Sequence, residues 1–468
     1  MSEPLKKAIM FHKQGRLNEA ETHYLEALTE NFDDMDALYL LGTVKMQNGQ
    51  YGLAANLLKQ ALMLKSDHFE AWNNLGNCFK LVNKEIDAKE CFKKGLSIEG
   101  KSTADYADIY NNLGALYINA GCPEEGMSYL DKAIEFEKNH TDANWNRALL
   151  CLEQGMYEEG FKGYEWGFKT KNRMYKEYGR EIPYWDGSPN RTIVVWGEQG
   201  IGDEILFASM IPDLLKISKK VVFDCHPRLV GIFKESFPDV TVYGTRKDTY
   251  MSWPSKHPDI DARVAIGDLG RYFRKDLNSF PQHEGYLNSS PERIAHYRKK
   301  LAKLGNRIKI GISWTGGYTK TRKDYRSIPL ELWESLFRLN ADFISLQYTP
   351  EAYNTIADVE DKFDARIHHW PSAVQNHDYG ETAALVAALD LIITVNTSIH
   401  HLAGALGQPC WTLTPKGKAW RYWSPDGVSN PWYPSVTQIE QSKIGEWGDV
   451  LEKVIRNLND LCSHKKVI

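Results

Sequence analysis

Small residues mark the first third of the chain at a fixed helical phase. Ala8, Gly42, Gly76, Gly114 and Ala148 are spaced by 34, 34, 38 and 34 positions. Two further series keep the same steps: Ala20, Ala54, Ala88, Gly126, Gly160, and Ala27, Ala61, Gly95, Ala133, Gly167. Large residues sit between them, at Tyr24, Leu58, Phe92, Leu130 and Tyr164. Small residues let two antiparallel helices approach closely while the large ones fill the gap to the next pair. The pattern predicts helix–turn–helix units of about 34 residues stacked into a superhelix. The four extra residues fall near Gly100 to Ala104, in a turn before the fourth repeat.

After Lys171 the period changes. A connector rich in Tyr, Arg and Pro runs to Trp185-Asp186-Gly187, and apolar runs then alternate with amphipathic ones. Strands are predicted at Thr192–Trp196, Val221–Phe223 and Val240–Val242, with helices at Glu204–Ile217 and Leu229–Phe237 between them. A second series follows the charged helix Pro291–Leu304. Its strands are Ile308–Trp314, Phe343–Gln347, Ala365–His368, Leu391–Val395 and Cys410–Leu413. Its helices are Pro329–Arg338, Glu381–Leu389, Ser398–Leu406 and Ile444–Leu461. Such alternation implies parallel sheets covered by helices. The fold class is therefore α + α/β: an all-helical superhelix over residues 1–172, a Rossmann-like lobe over 173–290 and a second over 291–468. The last helix is expected to pack back on the first lobe. Two doubly wound lobes in tandem place a ligand between them, at the carboxyl ends of the strands.

Composition narrows the class. The 468 residues are 42% hydrophobic and 25% charged, with a net charge of -4. That balance makes a nucleic-acid partner a poor fit, because broad phosphate neutralisation needs a basic surplus. The first residues lack the apolar core of a signal peptide, and the most apolar stretch, Ala383–Val395, is too short to span a bilayer. The seven cysteines are scattered without a Cys-x-x-Cys, which argues against a disulfide frame or a structural zinc. A soluble cytoplasmic protein is expected.

Three strand ends carry candidate chemistry. Gly197-x-x-Gly200-x-Gly202-Asp203 joins a strand to a helix, with glycines clearing space for a ligand. Asp203 has two readings there: a helix cap, or a general base aimed into a cleft. Asn396-Thr397-Ser398-Ile399-His400-His401 opens a helix with spare hydroxyl and amide donors, a place for a nucleotide diphosphate or a plain capped helix. Ser313-Trp314-Thr315-Gly316-Gly317 is followed by Lys320, Arg322, Lys323 and Arg326, cations suited to phosphate or to solvent. Neither adjacent histidines nor the two Asp-x-Asp triplets, Asp34–Asp36 and Asp259–Asp261, have the setting of a metal site. In the repeats, Asn73, Asn74, Asn111 and Asn112 are placed to line a peptide-binding face, or simply to be solvated.

The repeat phases resemble the tetratricopeptide repeat family over about residues 4 to 170. The glycine loop ending in Asp203, Arg326-x-x-Pro329 with Trp333, and Asn396-Thr397-Ser398-Ile399-x-His401-Leu402-Ala403-Gly404 resemble the heptosyltransferase-like glycosyltransferases. Trp185-Asp186-Gly187, Trp420-Arg421-Tyr422-Trp423 and Pro431-Trp432-Tyr433-Pro434 look like a subgroup with preceding repeats. The layout is also similar to that of protein O-linked N-acetylglucosamine transferases. The resemblance implies a GT-B pair of lobes and a metal-independent transferase that uses a nucleotide-diphosphate sugar as substrate and needs no cofactor. By position, Asp203 matches the general base, with Gly200 and Gly202 clearing space. Arg326 replaces a diphosphate-binding lysine. Thr397, Ser398 and His401 match the donor-binding helix start, and Asn396 replaces an acidic residue. Ser313 and Gly316 complete the donor side. The repeats would recruit a protein acceptor or partner, or supply a homodimer contact. The rival expectation is a repeat scaffold whose transferase-like lobes are inactive.

Overall fold

The computed structural model describes residues 1–317 and 323–464, so Lys320 and Arg322 of the expected basic cluster lie outside the described residues. The chain divides into two compact units, residues 1–150 and 151–468.

The first unit consists of antiparallel helix pairs. Glu3–Lys13 pairs with Leu17–Glu30, Met35–Gln47 with Tyr51–Leu64, Phe69–Leu81 with Glu85–Leu96, and Thr103–Asn119 with Pro123–Phe136. The small-residue phase does what its spacing predicts. A Cβ on Gly76 would lie 2.5 Å from the Phe92 ring, one on Gly114 would lie 2.8 Å from Leu130, and one on Gly42 would lie 3.0 Å from Leu58. Small and large positions of each repeat therefore face one another, and volume is conserved across the pair. The turn inside each repeat carries a left-handed residue at one phase: Gly15, Gly49, Asn83, Gly121 and Gly155. Asn83 is the one non-glycine, an exchange that Asn tolerates better than other side chains.

The second unit holds two parallel sheets. In the first, β1 (Thr192–Trp196), β2 (Lys220–Asp224), β3 (Val240–Tyr243) and β4 (Ala262–Ala265) lie in the order β3-β2-β1-β4. In the second, β5 (Ile308–Ser313), β6 (Ala341–Ser345), β7 (Ile367–His369), β8 (Leu391–Val395), β9 (Cys410–Thr414) and β10 (Val436–Glu440) lie in the order β10-β9-β8-β5-β6-β7. Each sheet reverses its winding at one place, between β1 and β4 and between β5 and β8. The loops leaving those strands stand at the usual ligand position of doubly wound sheets.

Three expectations are corrected. The array does not run as a separate body to residue 172. Tyr157–Gly163 and the residues after it belong to the second unit, because Phe161 fills the space over Gly270 and Tyr157 and Tyr164 join an aromatic cluster with Phe207, Phe280, Trp420 and Trp423. The last helix, Gly448–His464, buries Val450, Leu451, Val454 and Leu458 with the second sheet's core, not on the first lobe. The Glu204–Ile217 run is two helices, Ile201–Ala208 and Ile211–Ile217. Pro212 lies in the first turn of the second, where its missing N–H costs nothing.

Candidate functional site

The loop after β1 turns three acidic side chains to three uses. Glu198 is buried against Arg173, whose guanidinium donates to both carboxylate oxygens at 2.8 and 2.6 Å and to Asp268 at 2.6 Å. Glu204 folds under the loop into space that only a glycine at 197 leaves open, since a Cβ there would lie 2.3 Å from the carboxyl carbon. It meets Arg246 at 2.6 Å, and burial pushes its carboxyl up to about 8 despite that partner. Asp203 alone stays partly open, 18% exposed. One of its oxygens accepts the Gly200 N–H at 3.0 Å, the reciprocal half of a capping box. The other accepts from Nε of Arg421, a residue 218 positions further on. The same guanidinium donates to Gln199 Oε1. The capping reading of Asp203 is met, and the same carboxylate is also held from the second lobe.

The loops after β5 and β8 interlock at the second switch point. Thr397 caps the Ser398–Ala405 helix, its hydroxyl accepting the Ile399 N–H at 3.1 Å. A Cβ on Gly316 would lie 2.3 Å from the Thr397 methyl, so the two loops meet only because residue 316 is glycine. Arg326 donates from Nε to Gly316 O at 3.2 Å, which fixes its side chain beside that helix start. Ser398 accepts from the Tyr379 hydroxyl at 3.0 Å. Ser313 is buried and its hydroxyl donates to Gln347 Oε1 at 3.2 Å. Asn396 is 2% exposed, and its Oδ1 accepts no hydrogen bond from any described residue.

The two helix starts touch directly. A Cβ on Gly202 would lie 2.7 Å from the His401 ring and 3.5 Å from Ser398 Cα. The Gly202 position therefore serves close helix–helix approach, and Gly200 receives the cap. The His401 ring is buried between Tyr433 at 3.0 Å and Tyr422 at 3.3 Å. Burial, then Arg421 and Arg326, lowers its pKa to about 3, so the imidazole is neutral and acts as a spacer with two fixed hydrogen bonds. His400 is likewise held neutral by burial and bonds Thr412 at 2.7 Å.

Asp203, Arg326, Asn396, Thr397, Ser398 and His401 are thus brought together, while the Ser313 hydroxyl is committed to Gln347. Sequence reasoning missed Arg421, Gln199 and Tyr433 as site residues. Arg421 and Tyr433 lie inside the aromatic motifs Trp420–Trp423 and Pro431–Pro434, and their polarity among tryptophans is the available signal. The second Asp-x-Asp triplet is structural: Asp261 accepts the Thr192 N–H at 3.1 Å and Asp259 pairs with Lys220 at 3.3 Å.

In the first unit the asparagines form a ladder between successive repeats. Asn112 donates to Asn73 at 3.0 Å, Asn146 to Asn111 at 2.9 Å, and Asn74 to Thr43 at 3.2 Å. Lys80 adds a bond to Asn112 Oδ1 at 2.9 Å. The amides are therefore partly engaged with one another, and each keeps donor or acceptor capacity for a further partner. A groove of about 380 Å³ lies elsewhere on this unit, lined by Leu62, Met63, Trp72 and Phe79 among charged side chains.

Comparison with known proteins agrees with the helix pairs. Two tetratricopeptide repeat profiles match, one over residues 39–80 and one over 69–102 and 107–140. Protein FlbA of Caulobacter vibrioides is 25% identical over 474 residues, covering 90% of this chain and 78% of that protein. Human tetratricopeptide repeat protein 7B is 32% identical over 91 residues, 19% of this chain and 11% of that protein. The human protein O-mannosyl-transferase TMTC3 is 26% identical over 117 residues, 25% of this chain and 12% of that protein. The chain thus spans only about a tenth of these two human relatives. The crystal structure of MamA matches 37% of this chain and 96% of its own at 21% identity, with a TM-score of 0.32. No helix among the described residues is long and apolar enough to cross a membrane. The N-terminal region carries tetratricopeptide repeats, and a domain of parallel sheets follows it.

Proposed function

We propose that the second unit is a metal-independent, inverting glycosyltransferase of the GT-B type, and that the repeats recruit its protein acceptor or partner. One observation carries the reading. Loops at the switch points of two doubly wound sheets face each other and bring a carboxylate, two arginines and a helix start together. Arg326, the Thr397–Ser398 helix start and its amides would take the diphosphate of a nucleotide sugar. Asp203 would accept the proton of an acceptor hydroxyl as its oxygen bonds to the anomeric carbon. The bond to the diphosphate breaks on the opposite face, which inverts that carbon. The buried Asn396 Oδ1 offers an acceptor to a hydroxyl of the donor. The repeats support protein interaction, and the human relative named as an O-mannosyl-transferase is consistent with repeats and sugar transfer in one chain.

The test is thermal unfolding with a panel of nucleoside diphosphates and their sugars. A ligand at 100 times its Kd adds about 2.7 kcal/mol. The expected result is a shift with one nucleotide that Arg326→Ala abolishes and Asp203→Asn keeps, with sugar transfer absent from Asp203→Asn. No shift with any nucleotide would favour a second reading, a repeat scaffold with inactive lobes. Its support is that both oxygens of Asp203 are engaged and that residue 396 is Asn.

A further inference from the structure

Arg421 stands where the two halves of the site compete for one cation. It lies in the Trp420–Tyr422 turn, its guanidinium 4.7 Å from the Trp420 ring centre, and it reaches across to Asp203 and Gln199 of the first lobe. It is 19% exposed, so it is partly open to solvent and not sealed in the core. Tyr422, the next residue, bonds His401 at 3.3 Å, which places the turn over the helix start that also holds Asn396 with its unpartnered Oδ1. Tyr325, next to Arg326, donates to Lys416 O and ties the second arginine's segment to the loop that leads from β9 into this turn.

We propose that Arg421 is an anion-binding residue shared between two partners. In the arrangement described above it holds Asp203. When the diphosphate of the donor enters, the guanidinium turns to it beside Arg326, and the Asp203 oxygen it leaves becomes available to the acceptor hydroxyl. The inference rests on the transferase reading and adds an order to it: the donor binds first, because an acceptor arriving earlier meets a carboxylate already engaged. Nothing covalent happens in this step; one ion pair is exchanged for another.

The exchange makes a prediction opposite to that for an ordinary site residue. Asp203→Asn removes Arg421's competing partner yet keeps an acceptor for the Gly200 N–H, so it should tighten anion binding. The probe is inorganic pyrophosphate, titrated calorimetrically into the full chain at low ionic strength. The expected results are at least threefold tighter binding in Asp203→Asn and at least tenfold weaker binding in Arg421→Ala. In the Arg421→Ala background, adding Asp203→Asn should change little. That last arm separates release of Arg421 from the general effect of deleting a negative charge near an anion. Equal tightening in both backgrounds would overturn the proposal, as would unchanged binding in Asp203→Asn with Arg326→Ala still weakening it. Absence of pyrophosphate binding in the wild type and in Asp203→Asn would sink the transferase reading itself.

Discussion

Replacing Gly202 with Ala tests the contact on which the candidate site is built. The added Cβ would lie 2.7 Å from His401 Cδ2, against the 3.5–4.0 Å of a normal carbon contact, so something must give by roughly 1 Å. The imidazole is a poor candidate to move. It is buried and holds Tyr433 at 3.0 Å and Tyr422 at 3.3 Å, each bond contributing about 1 kcal/mol. Overpacking of this kind costs about 1–3 kcal/mol. Against it stands the helix preference of Ala over Gly, up to about 1 kcal/mol in a helix interior and less here, at the second residue of the helix. The net expectation is a loss of about 1–2 kcal/mol. Urea unfolding followed by tryptophan fluorescence reads it, because all tryptophans but Trp72 and Trp145 lie in the second unit. Gly448→Ala is the control: it opens a helix in the same unit, and nothing lies within 4 Å of its added Cβ. A Gly202→Ala midpoint equal to wild type would show that the two helices are not in contact as described.

Other perturbations follow from the same geometry. The His401 pKa is lowered to about 3 in the fold, while the unfolded chain takes its proton near 6.5. Its stabilisation is therefore full above pH 6.5 and lost as pH falls toward 3, by about 1.4 kcal/mol per pH unit. His401→Gln should flatten the urea midpoint against pH over that window, and an equal slope would contradict the assignment. In the repeats, Gly76→Ala should lower the first unit's transition by about 1–2 kcal/mol, read by circular dichroism, with Phe92→Leu in the same chain restoring most of it. Arg173→Met leaves Glu198 and Asp268 buried without their cation and should cost about 3–5 kcal/mol; a loss below 1 kcal/mol in denaturant would show that the carboxylates find other partners.

The repeat phases were legible because helix packing imposes them locally: each small residue meets a large one a fixed distance along the same hairpin, as Gly76 meets Phe92. The strands β1 and β8 were legible as buried apolar runs. What escaped depended on distance. β4 and β10 carry polar residues among their apolar ones, Arg263 in one and Gln438 in the other, so each reads as a loop until its neighbour pairs with it. The limit of the array escaped because Gly160, Tyr164 and Gly167 keep the repeat's spacing while Tyr164 packs on Trp420 and Phe161 on Gly270. The Asp203–Arg421 pair escaped because no local rule links residues in different lobes.

That pair also decides how a loss of transfer in Asp203→Asn is to be read. The carboxylate does two structural jobs, one oxygen on the Gly200 N–H and one on Arg421. Asn retains an oxygen for the first, so the cap is largely kept. The second is lost, and both side chains of that pair are nearly one-fifth exposed, at 19% and 18%. Water can therefore replace much of it, and the cost should fall between that of a surface pair, about 0–1 kcal/mol, and the 3–5 kcal/mol of a buried one. A loss of about 1–2 kcal/mol in urea leaves the unit folded at ordinary temperature, and absent transfer then reports the missing base. A loss above about 3 kcal/mol would mean that Arg421 needs Asp203 for the fold. In that case the cation cannot also be released to a ligand, and the shared-arginine proposal fails on stability alone.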